Sequence, residues 1–282
     1  MSPAAAQLAV RFASCWLLVG AAAGCGAFER SARAEASHGR GPAVVEAKPE
    51  LALTCAGGES PIGPSVTQLV VVTAPSFDAW HAQLRRYARA PGAAWQLVGE
   101  PISVVLGRAG LAWGDGLHGS GAPRGRTGPV KREGDGRSPA GVFALGNVHG
   151  YAADAPAGVT LPYAQATAAL RCVDDPSAAE YNHIVEAGPR AASWRSAERM
   201  RRDDAVYELA LDIEHNRAPV VPEHGSCIFA HVWVNAQTPV AGCTGMALPE
   251  LRDLLTWLKP GALWVALPDA EYQALGACWK LP

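Results

Sequence analysis

Cys243 and His231 are the two residues of this sequence whose types and spacing could do covalent chemistry. A thiol attacks a carbonyl as its thiolate, so it needs a nearby base or cation, and the oxyanion that follows needs N–H donors. Both residues lie in one stretch, His224 to Met246, which has no lysine, arginine or aspartate. His231 stands in the apolar run Cys227–Val234, whose β-branched and aromatic residues predict a largely buried strand. A polar loop from Asn235 to Pro239 follows, and Gly242 directly precedes the thiol. A glycine there frees the backbone, and the N–H groups around Gly242 and Cys243 are the expected oxyanion donors. Trp233 lies two residues beyond His231, on the same side of a strand, as an expected pocket wall. His183 and Thr244 complete the candidate substrate contacts, while His224 reads as a rim residue. Each has a plainer reading as well: a buried thiol, a core histidine bonded to a carbonyl, a packed tryptophan, a solvated strand face.

The elements that must position these residues are mostly strands. Gln68–Thr73 predicts a strand, and Phe77–Ala90 a helix with Trp80, Leu84 and Tyr87 at helical spacing. Ala94–Val98 and Ile102–Leu106 read as a hairpin across Gly99-Glu100-Pro101. Gly107 to Gly150 is rich in glycine and charge and reads as a long surface loop leading into a short strand. It lacks the Gly-x-x-x-x-Gly-Lys-Ser/Thr pattern of a phosphate loop. Further strands are expected at Tyr163–Val173, Tyr181–Glu186, Ala205–Ile213, Ser226–Val234 and Leu263–Leu267. Between the last two, Pro249–Leu258 predicts a helix with Leu251, Leu254, Leu255 and Leu258 on one face. The expected class is therefore mostly β (α+β): one core, a few helices and a loop-rich rim.

The first residues look like an address. Arg11 is followed by a short apolar core, Phe12 to Cys25, ending in small residues, which is the form of a secretory signal over 1–24. Ala22-Ala23-Gly24-Cys25 is similar to a bacterial lipoprotein box, with Cys25 as the lipidated residue. Residues 25–65 hold few apolar side chains and read as a flexible tether, so the folded domain is expected over 66–282. The expected location is the periplasm or cell envelope, with membrane contact only through that lipid. A net charge of −2 over 282 residues gives no reason to expect nucleic acid as partner. HExxH and paired CxxC patterns are absent, so neither a metal nor a cofactor is expected. The oligomeric state is left open.

Two separated blocks resemble the L,D-transpeptidase catalytic-domain (YkuD-type) family, cysteine enzymes that cross-link peptidoglycan stem peptides. The first is Lys131 to Phe143, around Ser138-Pro139-Ala140-Gly141. The second is His231 followed by Gly242-Cys243-Thr244-Gly245-Met246. Where the family usually has Ser/Thr-His before Gly-Cys, this chain has Val240-Ala241, and its His-to-Cys interval is shorter. The resemblance covers roughly residues 66 to 268. It implies a β-sandwich or barrel with peripheral helices, Cys243 as nucleophile and His231 as acid and base. It also implies cell-wall biogenesis as the process, peptidoglycan stem peptides as partners, and 3→3 cross-linking through a thioester as the reaction. An L,D-carboxypeptidase using the same site, or a non-catalytic envelope binding module, are the alternatives.

Setting aside Cys15, Cys25 and the nucleophile leaves Cys55, Cys172, Cys227 and Cys278, an even set suited to an oxidising compartment. Three connectivities exist, and the favoured one is Cys172–Cys227 with Cys55–Cys278.

Overall fold

Alternating burial decides most of this architecture. The computed structural model describes residues 60–188 and 193–282. The expected signal segment, Cys25 and Cys55 lie outside the described residues. In chain order the first strands are β1 (Gln68–Ala74), β2 (His81–Ala88), β3 (Gln96–Val105), β4 (Leu111–Trp113), β5 (Asp115–Gly116), β6 (Gly119–Ser120) and β7 (Ser138–Gly150). Then come β8 (Tyr163–Gln165), β9 (Leu170–Val173), β10 (Ile184–Glu186), β11 (Ala197–Arg199), β12 (Leu209–Ile213), β13 (Phe229–Val232) and β14 (Thr244–Met246). Helix α1 (Leu248–Trp257), strand β15 (Leu263–Pro268) and helix α2 (Asp269–Trp279) finish the chain. The protein is mostly β, with these two helices among the described residues.

The main sheet runs β12-β13-β14-β3-β2-β1-β15-β7-β4, and β7 pairs with β12 as well, so the sheet closes on itself like a barrel. Closure removes the unpaired edges that a sheet of this size would otherwise expose. A small sheet, β10-β9-β11, lies beside it. One apolar cluster gathers Trp113, Phe143, Trp264 and the α1 residues Leu251, Leu254 and Leu255. Each buried leucine of this kind contributes roughly 1.5–3 kcal/mol. A second, smaller cluster joins Cys172, Met200, Tyr207, Cys227, Phe229 and Cys243. The candidate thiol, Cys243, belongs to this second cluster.

Several expectations need correction. The stretch expected as a helix from Phe77 contains strand β2, antiparallel to both β1 and β3. His81 and Gln83 face out while Ala82 and Leu84 are buried, so period two prevails over the helical spacing of Trp80, Leu84 and Tyr87. The expected hairpin at Gly99-Glu100-Pro101 is instead a bulge within one strand, β3, opposite Arg85. Gly99 takes the left-handed φ of 69° that this bulge requires, and Pro101 has no N–H to lose from the ladder. The long loop Gly107–Gly150 contains β4 to β6 and ends in β7, which at 13 residues is the longest strand. The expected strand Tyr163–Val173 divides into β8 and β9. Just before residue 66, Ile62 is fully buried and the Ser60 hydroxyl donates to Trp279 O at 2.8 Å. Helix α2 escaped the sequence reading because its apolar residues form no clear stripe.

The core also holds neutral histidines. His149, His215 and His231 are buried, and burial pushes each imidazole down to about 4. Their folded values lie below the unfolded one, so this contribution is complete above about pH 6.5 and is lost as pH falls toward 4. Urea unfolding is expected to show a lower midpoint at about pH 4.5 than at about pH 7, each histidine costing up to about 1.4 kcal/mol per pH unit within that window. An unchanged midpoint would contradict this reading of the core.

Candidate active site

Cys243 enters the site from the turn before β14, and His231 from the neighbouring β13. The two strands run parallel, with Ala230 opposite Thr244 and His231 opposite Gly245. Cys243 is the free cysteine among the described residues. Its thiol and the His231 ring both line a cavity of about 310 Å³, with Lys131, Glu133, Glu198, Tyr207 and Gly242 among the other walls.

The sulfur is held by backbone groups on the chain just before His231. Phe229 N–H donates to Sγ at 3.3 Å, and the thiol donates to Cys227 O at 3.4 Å. Cys227 has a left-handed φ of 55°, costing roughly 1–2 kcal/mol for a residue with a side chain. Asn182 Oδ1 takes its N–H at 3.0 Å, and the disulfide to Cys172 ties its side chain to β9. Gly242 serves differently from expectation: its φ is ordinary, but an added Cβ would come 3.1 Å from Arg137 O. Among the described residues, no hydrogen bond engages the N–H of Gly242 or Cys243. Those two donors are uncommitted.

The resting site is uncharged at its reacting pair. Burial, with the Glu198 carboxylate adding to it, pushes the Cys243 thiol up to about 12, against the opposing pull of Phe229 N–H and Lys131. Burial likewise pushes His231 down to about 4. The His231 Nδ1 bonds Val232 O at 2.9 Å, so Nδ1 carries the proton and Nε2 keeps the lone pair. No direct hydrogen bond joins His231 to Cys243 among the described residues. In unliganded sites such bonds are often loose and tighten with substrate.

Other candidates fall elsewhere. Trp233 lies past the end of β13, its N–H bonded to Met246 O at 2.9 Å, and lines a separate groove with Arg86, Glu100 and Asp253. The strand ends at Val232, so the alternation that put Trp233 beside His231 does not carry through. His183 is exposed and bonds Tyr181 O at 2.8 Å, just before β10 begins. Thr244 is buried in β14 and lies outside the cavity lining. His224 pairs with Asp115 at 2.6 Å, away from the thiol. The Cys172–Cys227 disulfide is present as expected. Cys278 is also disulfide-bonded.

Ser138 is the residue whose importance the sequence only hinted at. It opens β7 within the Ser-Pro-Ala-Gly block, and its hydroxyl donates to Cys243 O at 2.6 Å while accepting Gly107 N–H at 2.9 Å. Glu133, also from that block, accepts hydrogen bonds from Tyr181 and from the Ser226 hydroxyl at 2.7 Å. Lys131 is buried and donates to Asp135 at 2.6 Å. The two blocks read separately in the sequence therefore meet at the thiol. Ser138→Ala is expected to leave a buried carbonyl and a buried N–H unpaired, costing about 1–3 kcal/mol by urea unfolding. It should also slow modification of Cys243, since the carbonyl it anchors belongs to that residue; full retention of both properties would contradict this role.

No protein-family model matches the chain, and no curated protein matches it significantly.

Proposed function

We propose that this chain is an exported cysteine acyltransferase of the L,D-transpeptidase type, acting on peptidoglycan stem peptides in the cell envelope. The observation that carries the reading is the free thiol of Cys243 lining one cavity with His231, the N–H groups of Gly242 and Cys243 being uncommitted. The closed, mostly β architecture is compatible with the β-sandwich or barrel that the resemblance implies, and the meeting of its two blocks at Ser138 and Cys243 supports it. No helix among the described residues is long and apolar enough to cross a membrane. Membrane contact would come through lipidated Cys25.

In this reaction Cys243 attacks the carbonyl of the third stem residue. Its proton passes to His231 Nε2 and then to the departing amine of D-alanine, leaving a thioester. The Gly242 and Cys243 N–H groups face the oxyanion, each donor typically worth about 3–4 kcal/mol. The side-chain amine of a second stem resolves the thioester, losing its proton to His231, to form a 3→3 cross-link. The thioester conserves the peptide bond's energy, so the chemistry requires no cofactor.

The test is release of D-alanine from a stem tetrapeptide in the presence of an acceptor stem. His231→Ala is expected to slow release by about 10²–10⁴-fold, the usual worth of a general acid–base group. Release at the unmutated rate would remove His231 from the mechanism. Hydrolysed tripeptide in place of cross-linked product would assign the carboxypeptidase reaction instead.

A further inference from the structure

Among the described residues, five charged side chains line the thiol cavity, and four of them are already engaged. Lys131 donates to Asp135 at 2.6 Å, and Arg202 pairs with Asp204 at 2.8 Å. Glu133 accepts from the Tyr181 and Ser226 hydroxyls, and Glu198 accepts from Tyr207 at 2.6 Å. The fifth is Arg108. It is exposed, and among the described residues its guanidinium has neither a carboxylate nor a hydrogen-bond partner. A guanidinium offers five N–H donors in a planar fork whose geometry fits a carboxylate.

The segment carrying Arg108 is fixed, and it is fixed to the segment carrying the thiol. Arg108 N–H donates to Val240 O at 2.8 Å, and Ala109 N–H donates to Gly136 O at 2.9 Å. The Ser138 hydroxyl that accepts Gly107 N–H at 2.9 Å is the one that donates to Cys243 O at 2.6 Å. From there the Arg108 side chain lies across Gly136, where an added Cβ would come 2.9 Å from its Cζ. The cavity thus holds one positioned, unpaired cation together with the thiol.

We propose that Arg108 is a specificity-determining residue of this site, pairing with a free carboxylate of the acyl donor so that the cavity selects anionic donors over neutral ones. This deepens the acyl-transfer reading and rests on it, since a stem tetrapeptide carries such a carboxylate on its terminal D-alanine. The pairing is a charge-assisted, two-pronged hydrogen bond, and no proton moves in it. Lys131 and Arg202 are poorer candidates, because each would first have to release its own aspartate.

The test uses two small reagents, iodoacetate and iodoacetamide. Both lose iodide to the same thiolate and differ only in carrying a carboxylate or a neutral amide. Their rates at Cys243 are read by peptide mass in the wild type, R108Q and R202Q, and the ratio of the two rates cancels the thiol's own reactivity. R108Q is expected to lower the iodoacetate-to-iodoacetamide ratio about tenfold, the scale of one charge-assisted hydrogen bond. R202Q removes an equal charge from the same wall and, at about 0.15 M salt, should change the ratio by less than about twofold. An unchanged ratio in R108Q would overturn the assignment. So would an equal fall in R202Q, because the cavity's net charge would then attract the anion without any pairing to Arg108. A wild type labelled at Cys243 by neither reagent would overturn the acyl-transfer reading and this assignment with it. Labelling by both reagents with the same ratio in R108Q would overturn this assignment alone.

Discussion

Cys243→Ala is expected to abolish acylation by a carbapenem, with no adduct on the intact protein where the wild type gains one acyl group. The effect should be the largest of any single change, because the sulfur is the atom that forms the bond and alanine offers no substitute. Loss of the thiol should cost little stability. It sits between Phe229 N–H and Cys227 O through weak sulfur hydrogen bonds, and a small cavity replaces it. A folded variant without an adduct would therefore separate chemistry from structure. Cys243→Ser is the informative companion: it keeps a polar atom in the same pocket but is much the poorer nucleophile. An adduct that persists in Cys243→Ala would move the nucleophile elsewhere.

Removing the Cys172–Cys227 disulfide as the Cys172→Ala/Cys227→Ala pair is expected to destabilise the domain by about 4 kcal/mol, on the chain-entropy account of a crosslink with sequence separation 55. For a domain of this size that corresponds to a fall in melting temperature of roughly 8–16 °C. The consequence for the site follows from position. Cys227 supplies the carbonyl that receives the thiol, and its left-handed backbone is held by Asn182 as well as by the disulfide. Modification of Cys243 should therefore slow while remaining measurable. Calorimetry of the oxidised protein and of the pair checks the first part, and carbapenem acylation the second. A shift of under about 2 °C would mean that Asn182 and the surrounding cluster hold this segment alone.

The site was partly legible in the sequence because its central pieces are local. The apolar run before the polar loop identified β13, the glycine-cysteine pair marked the thiol, and one helical stripe gave α1. The parallel pairing of β13 with β14 then brings His231 and Cys243 to one cavity. What escaped depends on long-range pairing. Strand β2 carries apolar residues at a spacing that also fits a helix, and only its place between β1 and β3 selects period two. Strand β7 begins in a stretch whose glycines and charges suggest a loop, yet β15 and β12 pair along it. Trp233 was misplaced by one assumption, that the strand extends past Val232. Tyr207 and Glu198, which line the cavity and hydrogen-bond each other, have no local signature at all, since β11 and the turn before β12 meet only in the fold.

The central claim is that Cys243 forms a thioester with a peptidoglycan stem. Its most direct test is rapid acid quenching of the wild-type protein with a stem tetrapeptide, followed by peptide mapping. The account predicts a tripeptide acyl group on the peptide containing Cys243, released by hydroxylamine and matched by an equal amount of free D-alanine. D-alanine release without that adduct, or an adduct on any other residue, would contradict it.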